Sequence, residues 1–272
     1  MPKNELRREP LQGALMGSDL WSEILALDQV GSTNDVAKRR GREGAAEGLV
    51  VVAEEQTAGR GRLQRRWIAP AGTSLLCSLL FRPELRLDQA NRLTMICSLA
   101  AADAVEEVAG LAPALKWPND LVVSSAIPEA RGEWRKLGGI LTETALTGDK
   151  LAFVVVGIGI NVNVPAEDLP DVDPHATSTL AETDETVDRT QLLLELLSGV
   201  EKRYGRLHEG LSPHLEWSQR LATLGQAVTA QTPDGVLHGI AEGVDSNGAL
   251  LLRTEDGSLR RLIAGDVSLA RP

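Results

Sequence analysis

Four arginines lie within seven residues of a segment that shows no periodic pattern. They are Arg60, Arg62, Arg65 and Arg66. The β-branched run 49–55 precedes them, and Gly59 and Gly61 lie beside them. Arginine presents a planar fork that suits phosphate and carboxylate groups, and glycine lets backbone N–H groups approach an anion closely. A solvated run of charge is the alternative, but glycine alternating with arginine directly after a buried strand favours an anion-binding loop over 56–73.

The run Lys116–Asp120 forms a second polar group at the end of a predicted short strand. Lysine supplies a point charge for phosphate or carboxylate, and with an ordinary pKa near ~10.4 it acts electrostatically rather than as a base. Pro118 fixes a turn. Asn119 and Asp120 can bond the local backbone, so we interpret these two as structural.

Two strands carry glycines in their interiors. The segment 157–163 begins like a dinucleotide-binding loop, but Asn161 replaces the third glycine and no helix follows. We therefore expect Gly157 and Gly159 to make room for a ligand or another backbone. An asparagine amide holds both a donor and an acceptor, so Asn161 could read an adenine edge. The pair Gly138-Gly139 likewise predicts something flat packed on the strand.

The sequence lacks the motifs of several enzyme classes, which argues against metal-dependent hydrolysis, acyl-enzyme chemistry and Walker-type nucleotide hydrolysis. The four histidines show no metal-ligand spacing, and the sequence contains no HExxH, GxSxG or GxxxxGK[ST] motif. The two cysteines, Cys77 and Cys97, exclude a disulfide scaffold and a four-cysteine zinc site, and we expect both to be buried. Residues that hold a metal are unknown from the sequence.

Composition limits the partners. The chain has 272 residues, 43% of them hydrophobic, and a formal net charge of −10. Nucleic-acid phosphates select for a basic surface, so we expect no nucleic-acid partner. No segment reaches the ~18 apolar residues of a membrane helix, and the N-terminus lacks the apolar core of a signal peptide. We therefore expect a cytoplasmic protein without a membrane partner.

Strands and helices follow each other irregularly, which predicts an α+β fold with a mixed sheet. Strands are expected at 24–30, 49–55, 74–82, 114–117, 120–123, 137–146 and 151–163. Helices are expected at Thr33–Arg42, opened by Ser32 or Thr33, at Asp88–Val108, capped by Asp88, at Arg189–His208, and from Ser212-Pro213. After Gly225 only short strands and hairpin turns follow, at Asn247-Gly248 and Asp256-Gly257. The predicted units are an N-terminal extension (1–20), a large domain (21–223) and a small C-terminal domain (224–272).

Together these segments resemble biotin protein ligases, that is, biotin–acetyl-CoA-carboxylase ligases, over about residues 20–270. The matching segments are Gly31–Asn34, Glu55–Arg62, Trp67, Lys116–Asp120, Lys136–Leu141 and Gly157–Asn163. The resemblance implies a mixed-sheet catalytic domain flanked by helices, followed by a small SH3-like β-barrel. It also implies two reactions. ATP and Mg²⁺ first convert biotin to biotinyl-5′-AMP, and a lysine of the biotin carboxyl carrier protein of acetyl-CoA carboxylase then takes the biotinyl group.

The resemblance also assigns roles to residues. The implied biotin-binding residues are Ser32, Thr33, Asn34, Gln56, Gly59, Arg60, Gly61, Arg62, Lys116, Gly138 and Gly139. The implied adenylate-binding residues are Arg60, Arg62, Trp67, Lys116 and Asn161. Of these, Lys116 and Arg62 are implied to stabilise charge in the transition state.

Some features depart from the family's pattern. Leu63-Gln64 follows Arg62 where a glycine is usual, which puts the bending of the loop in doubt. The stretch 124–135 is longer than expected. Only 30 residues precede Gly31, too few for an N-terminal winged helix-turn-helix, so we expect the monofunctional type.

Three other functions stay open. A ligase for lipoate or octanoate would need a narrower acyl tunnel, and a biotin-dependent repressor would need the DNA-binding domain. A non-catalytic adenylate-binding protein would be expected to have lost its catalytic residues. Arg60, Arg62 and Lys116 are all present, which argues against such a loss. An exposed central sheet leaves a homodimer open.

Overall fold

The computed structural model describes residues 6, 8–126, 133–233 and 235–269, arranged as two sheets with seven α-helices among them. The helices are α1 (Arg8–Leu15), α2 (Thr33–Arg42), α3 (Asn91–Ala109), α4 (Leu169–Val172), α5 (Thr179–Thr183), α6 (Arg189–His208) and α7 (His214–Arg220). The strands of the first sheet are β1 (Glu23–Val30), β2 (Leu49–Gln56), β3 (Ser74–Phe81), β4 (Ala114–Lys116), β5 (Asp120–Ser124), β6 (Trp134–Thr147) and β7 (Lys150–Asn161). Those of the second are β8 (Ala227–Thr232), β9 (Gly235–Val244), β10 (Leu250–Thr254), β11 (Leu259–Leu262) and β12 (Asp266–Leu269).

The first sheet is mixed, as predicted. Its strand order is β1-β2-β3-β7-β6-β5-β4, and only the β1–β2 pair is parallel. Helices cover both faces, which explains the continuous apolar run of β2. Val50 and Val52 belong to the large core that includes residues of α3 and α6, while Leu49 and Val51 pack in a smaller cluster with Val36 of α2.

The second sheet is antiparallel, with strand order β11-β10-β9-β8-β12, and matches the small SH3-like unit expected after the mixed sheet. Its buried residues, among them Val228 and Leu250, belong to the same hydrophobic cluster as the first sheet. The indole Nε1 of Trp117 also donates to the carbonyl of Gly248 across the two sheets, at 2.9 Å. One core therefore spans both sheets, and the domain limits stay a prediction.

Two local expectations were wrong. Helix α1 was not predicted, yet Leu11 on it is buried in the large core. Asp88 does not cap α3, which begins at Asn91, because its carboxylate bonds the guanidinium of Arg86 instead. Within the described part of the chain, every helix is too short or too polar to span a bilayer. Most of the unusually long stretch 124–135 (residues 127–132) lies outside the described residues.

Candidate active site

A cavity lies over one face of β6 and β7, and most of the predicted site residues line it. Those that line it are Ser32, Thr33, Asn34, Gln56, Arg60, Gly61, Arg62, Trp67, Gly139 and Asn161. Gly59, Lys116 and Gly138 do not. The cavity floor, as the term is used below, consists of the lining residues of two strands that pair antiparallel: Lys136 and Gly139–Leu141 of β6, and Gly157–Gly159 and Asn161 of β7.

One end of the cavity is polar and surrounds the start of α2. Thr33 donates from its backbone N–H and its hydroxyl to Oε1 of Gln56, at 2.7 and 3.0 Å. Oγ of Ser78 lies 2.7 Å from Oγ1 of Thr33 and 2.6 Å from Oδ1 of Asn34. The buried Ser32 begins the helix without a side-chain capping bond. Ser78 was missed from sequence, although a lone serine between buried apolar residues of β3 was the available signal.

Gly157 lets the Asn34 amide lie directly against the floor. A Cβ at Gly157 would be 2.3 Å from Oδ1 of Asn34, far inside van der Waals contact. The glycine was expected to make room for a ligand or a backbone, and it makes room for a side chain of the site itself.

The arginine loop folds into a short hairpin. The N–H of Gly61 donates to the carbonyl of Arg65 at 2.7 Å, and that of Trp67 donates to Gly59 at 3.0 Å. A Cβ at Gly59 would lie 2.5 Å from the Trp67 carbonyl oxygen, so this glycine allows the close approach of the two hairpin arms. Gly59 therefore shapes the loop, which is why it is absent from the cavity wall.

At the tip of the hairpin, two residues adopt left-handed backbone conformations. Leu63 has φ 53° and Gln64 has φ 61°. Gln64 stands where the resemblance noted from sequence leads us to expect glycine, and its backbone conformation is one that glycine fits best.

The arginines of the loop have different partners. Arg60 forms a two-pronged pair with Asp35, at 2.7 and 2.6 Å, which raises the pKa of Arg60 and lowers that of Asp35. Arg62 donates instead to two neutral oxygens, Oδ1 of Asn119 at 3.1 Å and the Gly265 carbonyl at 2.9 Å. Burial lowers the pKa of Arg62, although arginine stays charged at neutral pH. Arg62 is thus a partly buried cation whose hydrogen bonds go to uncharged groups.

Lys136, not Lys116, is the lysine on the cavity wall. Lys116 ends β4 half-buried and outside the lining. Nζ of Lys136 lies 2.8 Å from Oδ1 of Asp120 and 5.9 Å from the centre of the Trp67 ring. Asp120 and Asn119 also line the cavity. Nδ2 of Asn119 donates to the Ile140 carbonyl at 2.7 Å, so the interpretation of these two residues as structural stays a prediction. The motif that contains Lys136 was recognised, but only its glycines were assigned a role.

At the far end of the floor, Trp67 and Asn161 lie near each other. A Cβ at Gly159 would be 2.7 Å from Cε2 of Trp67, so the indole rests on the bare backbone of β7. Nδ2 of Asn161 donates to the Thr177 carbonyl at 3.0 Å, while its buried Oδ1 has no hydrogen-bond partner among the described residues. Asn161 therefore offers an acceptor to a ligand.

Two further groups line the cavity without an assigned role. Asp266 comes from β12 and binds Arg65 of the hairpin at 2.5 Å, so the second sheet contributes to the site. Cys77 is buried, and burial raises its pKa to about 12, which keeps it a thiol and a poor nucleophile at neutral pH. The expected burial of Cys77 and Cys97 is confirmed.

These features order the cavity along β7. Gly157, Gly159 and Asn161 lie on one face, and a strand rises ~3.3 Å per residue, so they span roughly 13 Å. A polar end lies at Gly157 and an acceptor at Asn161. Lys136 lies between them, because its Nζ would be 3.6 Å from a Cβ at Gly139, which pairs with Gly159. Arg62 also lines the cavity. Such a cavity can hold a molecule with a polar ring next to an anion, and a nucleobase beyond it. Among the described residues, no group of three or more His, Cys, Asp or Glu could hold a metal ion.

Comparison with known proteins gives a consistent result. The Biotin/lipoate A/B protein ligase family matches residues 26–161, and the Biotin protein ligase C terminal domain matches residues 223–270. The bifunctional ligase/repressor BirA of Bacillus subtilis (strain 168) is 35% identical over 268 residues, covering 97% of this chain and 79% of that protein.

Two further relatives extend the match. The biotin–[acetyl-CoA-carboxylase] ligase of Mycobacterium tuberculosis is 35% identical over 268 residues, covering 96% of this chain and 92% of that protein. The solved structure of the biotin protein ligase from Aquifex aeolicus in complex with biotin and ATP superposes with a TM-score of 0.73 at 29% identity. The match covers 93% of this chain and 100% of that one.

Proposed function

We propose a mechanism for this chain on the premise that it belongs to the biotin protein ligases of the Biotin/lipoate A/B protein ligase family. It is an ATP-dependent ligase that activates biotin to biotinyl-5′-AMP and transfers the biotinyl group to protein. The observation that carries the mechanism is the order of groups along β7: a polar end, a cationic centre and an unpartnered acceptor.

The biotin rings occupy the polar end. Their ureido group carries one carbonyl acceptor and two N–H donors, and Ser32, Thr33 and Gln56 supply the complementary hydroxyl and amide groups. Both protons on the amide nitrogen of Asn34 are already committed, to the Leu141 carbonyl and to Glu143, so Asn34 offers the ligand only Oδ1. Gly139 keeps the floor flat beneath the rings.

Arg62 and Lys136 stabilise the reacting anions. A carboxylate oxygen of biotin attacks the α-phosphorus of ATP, the bond to the β-phosphate oxygen breaks, and pyrophosphate leaves. Both reactants are negative, so their approach requires positive charge fixed in advance. Arg62 is suited to the α-phosphate because its present hydrogen bonds are to neutral oxygens. Lys136 takes the role that the sequence gave to Lys116, because it lines the cavity and Lys116 does not.

Asn161 and Trp67 hold the adenylate. The free Oδ1 of Asn161 matches the 6-amino donor of adenine. The indole of Trp67, which rests on Gly159, either stacks on the ligand or moves to cover it. The phosphates of ATP would hold Mg²⁺, which would offset their negative charge, because this ion keeps several waters and is usually bound through substrate phosphates and one or two carboxylates.

No side chain of the ligase acts as a nucleophile in either step. In the second step the amine of an acceptor lysine attacks the acyl carbon, an amide forms, and AMP leaves. The chemistry requires an exposed lysine on the partner, and we propose the biotin carboxyl carrier protein of acetyl-CoA carboxylase. The raised pKa of Cys77, about 12, agrees with the absence of an acyl-enzyme route.

Incubation with radiolabelled biotin, ATP and a biotin-acceptor domain tests this mechanism. We expect label on the acceptor lysine, and ATP-dependent formation of biotinyl-AMP when the acceptor is left out. Radiolabelled lipoate and octanoate are the matched controls. Labelling with lipoate but not with biotin would assign the chain to the other branch of the family.

A further inference from the structure

Glu143 of β6 joins the polar end of the cavity to the arginine loop. One oxygen, Oε2, accepts from Nδ2 of Asn34 at 2.8 Å and lies 3.5 Å from Nη2 of Arg60. The other oxygen, Oε1, is 2.6 Å from Nζ of Lys38 on α2. Glu143 does not itself line the cavity. It therefore touches Asn34 from the helix and Arg60 from the loop, both of which line the cavity, and it can act only through them.

The carboxylate fixes which way the Asn34 amide faces. A carboxylate accepts hydrogen bonds only, so the amide nitrogen has to point at Glu143. Oδ1 is then turned toward Ser78, whose Oγ is 2.6 Å away, and the amide lies flat against Gly157. A flipped amide would set two acceptors against each other at Glu143.

The same carboxylate belongs to a four-charge group with the loop. Arg60 binds Asp35 and approaches Glu143, while Lys38 bridges the two acids at 3.1 and 2.6 Å. Two cations and two anions balance in this group. The pKa of Glu143 lies below its ordinary value because the Lys38 and Asn34 hydrogen bonds outweigh the opposing effect of burial. Glu143 is thus a carboxylate at neutral pH.

We propose that Glu143 is a positioning residue that sets the affinity for biotin, by orienting the Asn34 amide and by holding Arg60 over the same end of the cavity. This inference rests on the proposed function, since it takes the polar end as the biotin-ring site. It assigns Glu143 no contact with ATP. Arg60 is also an implied adenylate-binding residue, but its closer partner is Asp35, at 2.7 and 2.6 Å, which stays in place when Glu143 is changed. We therefore expect the main effect on biotin rather than on ATP.

The chain supplies a matched control on the same helix. Glu23 of β1 pairs with Arg40 of α2 at 2.9 Å, as Glu143 of β6 pairs with Lys38. Both are strand carboxylates that bind a cation of α2, and both are partly exposed. Glu23 contacts neither Asn34 nor Arg60, so Glu23→Gln removes an equivalent ion pair and leaves the cavity intact.

The experiment measures biotin-dependent and ATP-dependent kinetics of Glu143→Gln and Glu23→Gln in the full chain, together with the dissociation constant for biotin alone. For Glu143→Gln we expect the KM and Kd for biotin to rise about 10- to 100-fold, the usual weight of a hydrogen bond to a charged group. The KM for ATP and kcat at saturating biotin should stay within about threefold. Glu23→Gln should stay within about twofold in every constant.

Lys38→Gln and Arg40→Gln remove the α2 partners of Glu143 and Glu23, respectively. They provide a second test of the proposal if Glu143→Gln fails to fold. Lys38→Gln removes the anchor of Glu143 and should weaken biotin binding several-fold, whereas Arg40→Gln should not. Wild-type biotin affinity in Glu143→Gln, or equal losses from both helix variants, would overturn the inference while leaving the ligase assignment intact. If the wild-type chain forms no biotinyl-AMP, the proposed function fails instead.

Discussion

The cavity floor and the arginine hairpin above it both combine glycine with cationic residues, but they are held in place differently. In the floor, Gly157 and Gly159 are in contact with the Asn34 amide and the Trp67 indole, and a Cβ at either would overlap those groups by about an ångström or more. In the hairpin, Arg60 and Arg65 are held by carboxylates that are partly exposed to water.

This difference separates the two tasks of the site. Packing at native density does not yield to a ligand, so under the proposed function we expect the floor to fix where the rings and the base lie. Exposed ion pairs are each worth about 0–1 kcal/mol, so the phosphate of an adenylate can compete with Asp266 and its neighbours for the arginines. We therefore expect the floor to provide selectivity and the hairpin to provide a cover that responds to bound charge.

The largest effect expected is on a floor cation. Lys136→Ala should lower the rate of adenylation about 10²- to 10³-fold, as is typical when one preorganised electrostatic group is removed, with little change in stability. Pyrophosphate release in single turnovers measures it. Lys116→Ala is the matched comparison, because that lysine ends a neighbouring strand outside the cavity. An equal or larger loss in Lys116→Ala would return the catalytic role to the residue first inferred from sequence.

The next effect tests whether the floor is rigid. Gly157→Ala sets a methyl 2.3 Å from Oδ1 of Asn34, so it should lower the free energy of unfolding by about 1–3 kcal/mol and weaken biotin binding. Urea denaturation measures the free energy of unfolding, and calorimetric titration measures the affinity for biotin. Gly205→Ala in α6, where no heavy atom lies within 4 Å of the added Cβ, is the control and should not destabilise. Unchanged biotin affinity in Gly157→Ala would show that the cavity floor adjusts to the added methyl group and is not rigid.

The hairpin should respond to charge where the floor does not. Amide hydrogen exchange across residues 57–67 should slow about tenfold or more when a non-hydrolysable biotinyl-adenylate binds, since the ligand phosphate replaces mobile ion pairs. Exchange in 157–161 should change less. Arg62→Ala should abolish part of this protection, release biotinyl-AMP early and label lysines on bystander proteins. Equal protection of 57–67 with and without the adenylate would mean that the hairpin is prebuilt.

The smallest effect concerns the tip of the hairpin. Gln64 holds φ 61°, which L-residues adopt at a cost of about 1–2 kcal/mol. Gln64→Gly should stabilise the closed hairpin by up to about 1 kcal/mol, after the added entropy of the unfolded loop is subtracted. Amide hydrogen exchange of the ligand-free protein over residues 57–67 measures this stabilisation, and we expect slower exchange in Gln64→Gly. Gln64→Ala keeps the strain and should match the wild type, and a similar gain in both variants would rule out backbone strain as the cause.

Local patterns were enough to predict the elements that carry the site. Capping and spacing predicted α2 at Thr33–Arg42, and β-branched composition predicted β2. Helix α1 was not predicted because its sequence is short and polar. Such a short helix depends on tertiary packing for its stability, here the burial of Leu11 in the large core, and the local sequence does not reveal that packing. Asp88 failed as a cap because a neighbouring arginine competes for its carboxylate.

Site residues were predicted correctly as cavity-lining where a single sequence motif indicates both the type of side chain and its place on an element. They were missed where the fold brings together residues that are distant in the chain. Lys136 faces the cavity through the register of β6, which shifts where it pairs with β5, and the motif alone does not reveal that choice. Asp266 reaches the hairpin from a strand about 200 residues away in the chain. Glu143 gave no local signal, since its partners lie on α2 and the loop.

The indole of Trp67, seated on Gly159, also gives the enzyme an optical property. Of the five tryptophans, Trp21, Trp117 and Trp217 are buried in the core and Trp134 is 42% exposed at the start of β6. Only Trp67 stands on the cavity wall. A ligand that displaces or covers this ring changes the polarity around one fluorophore while leaving the other four unaltered. The emission spectrum of the unlabelled protein therefore reports the filling of the site in real time.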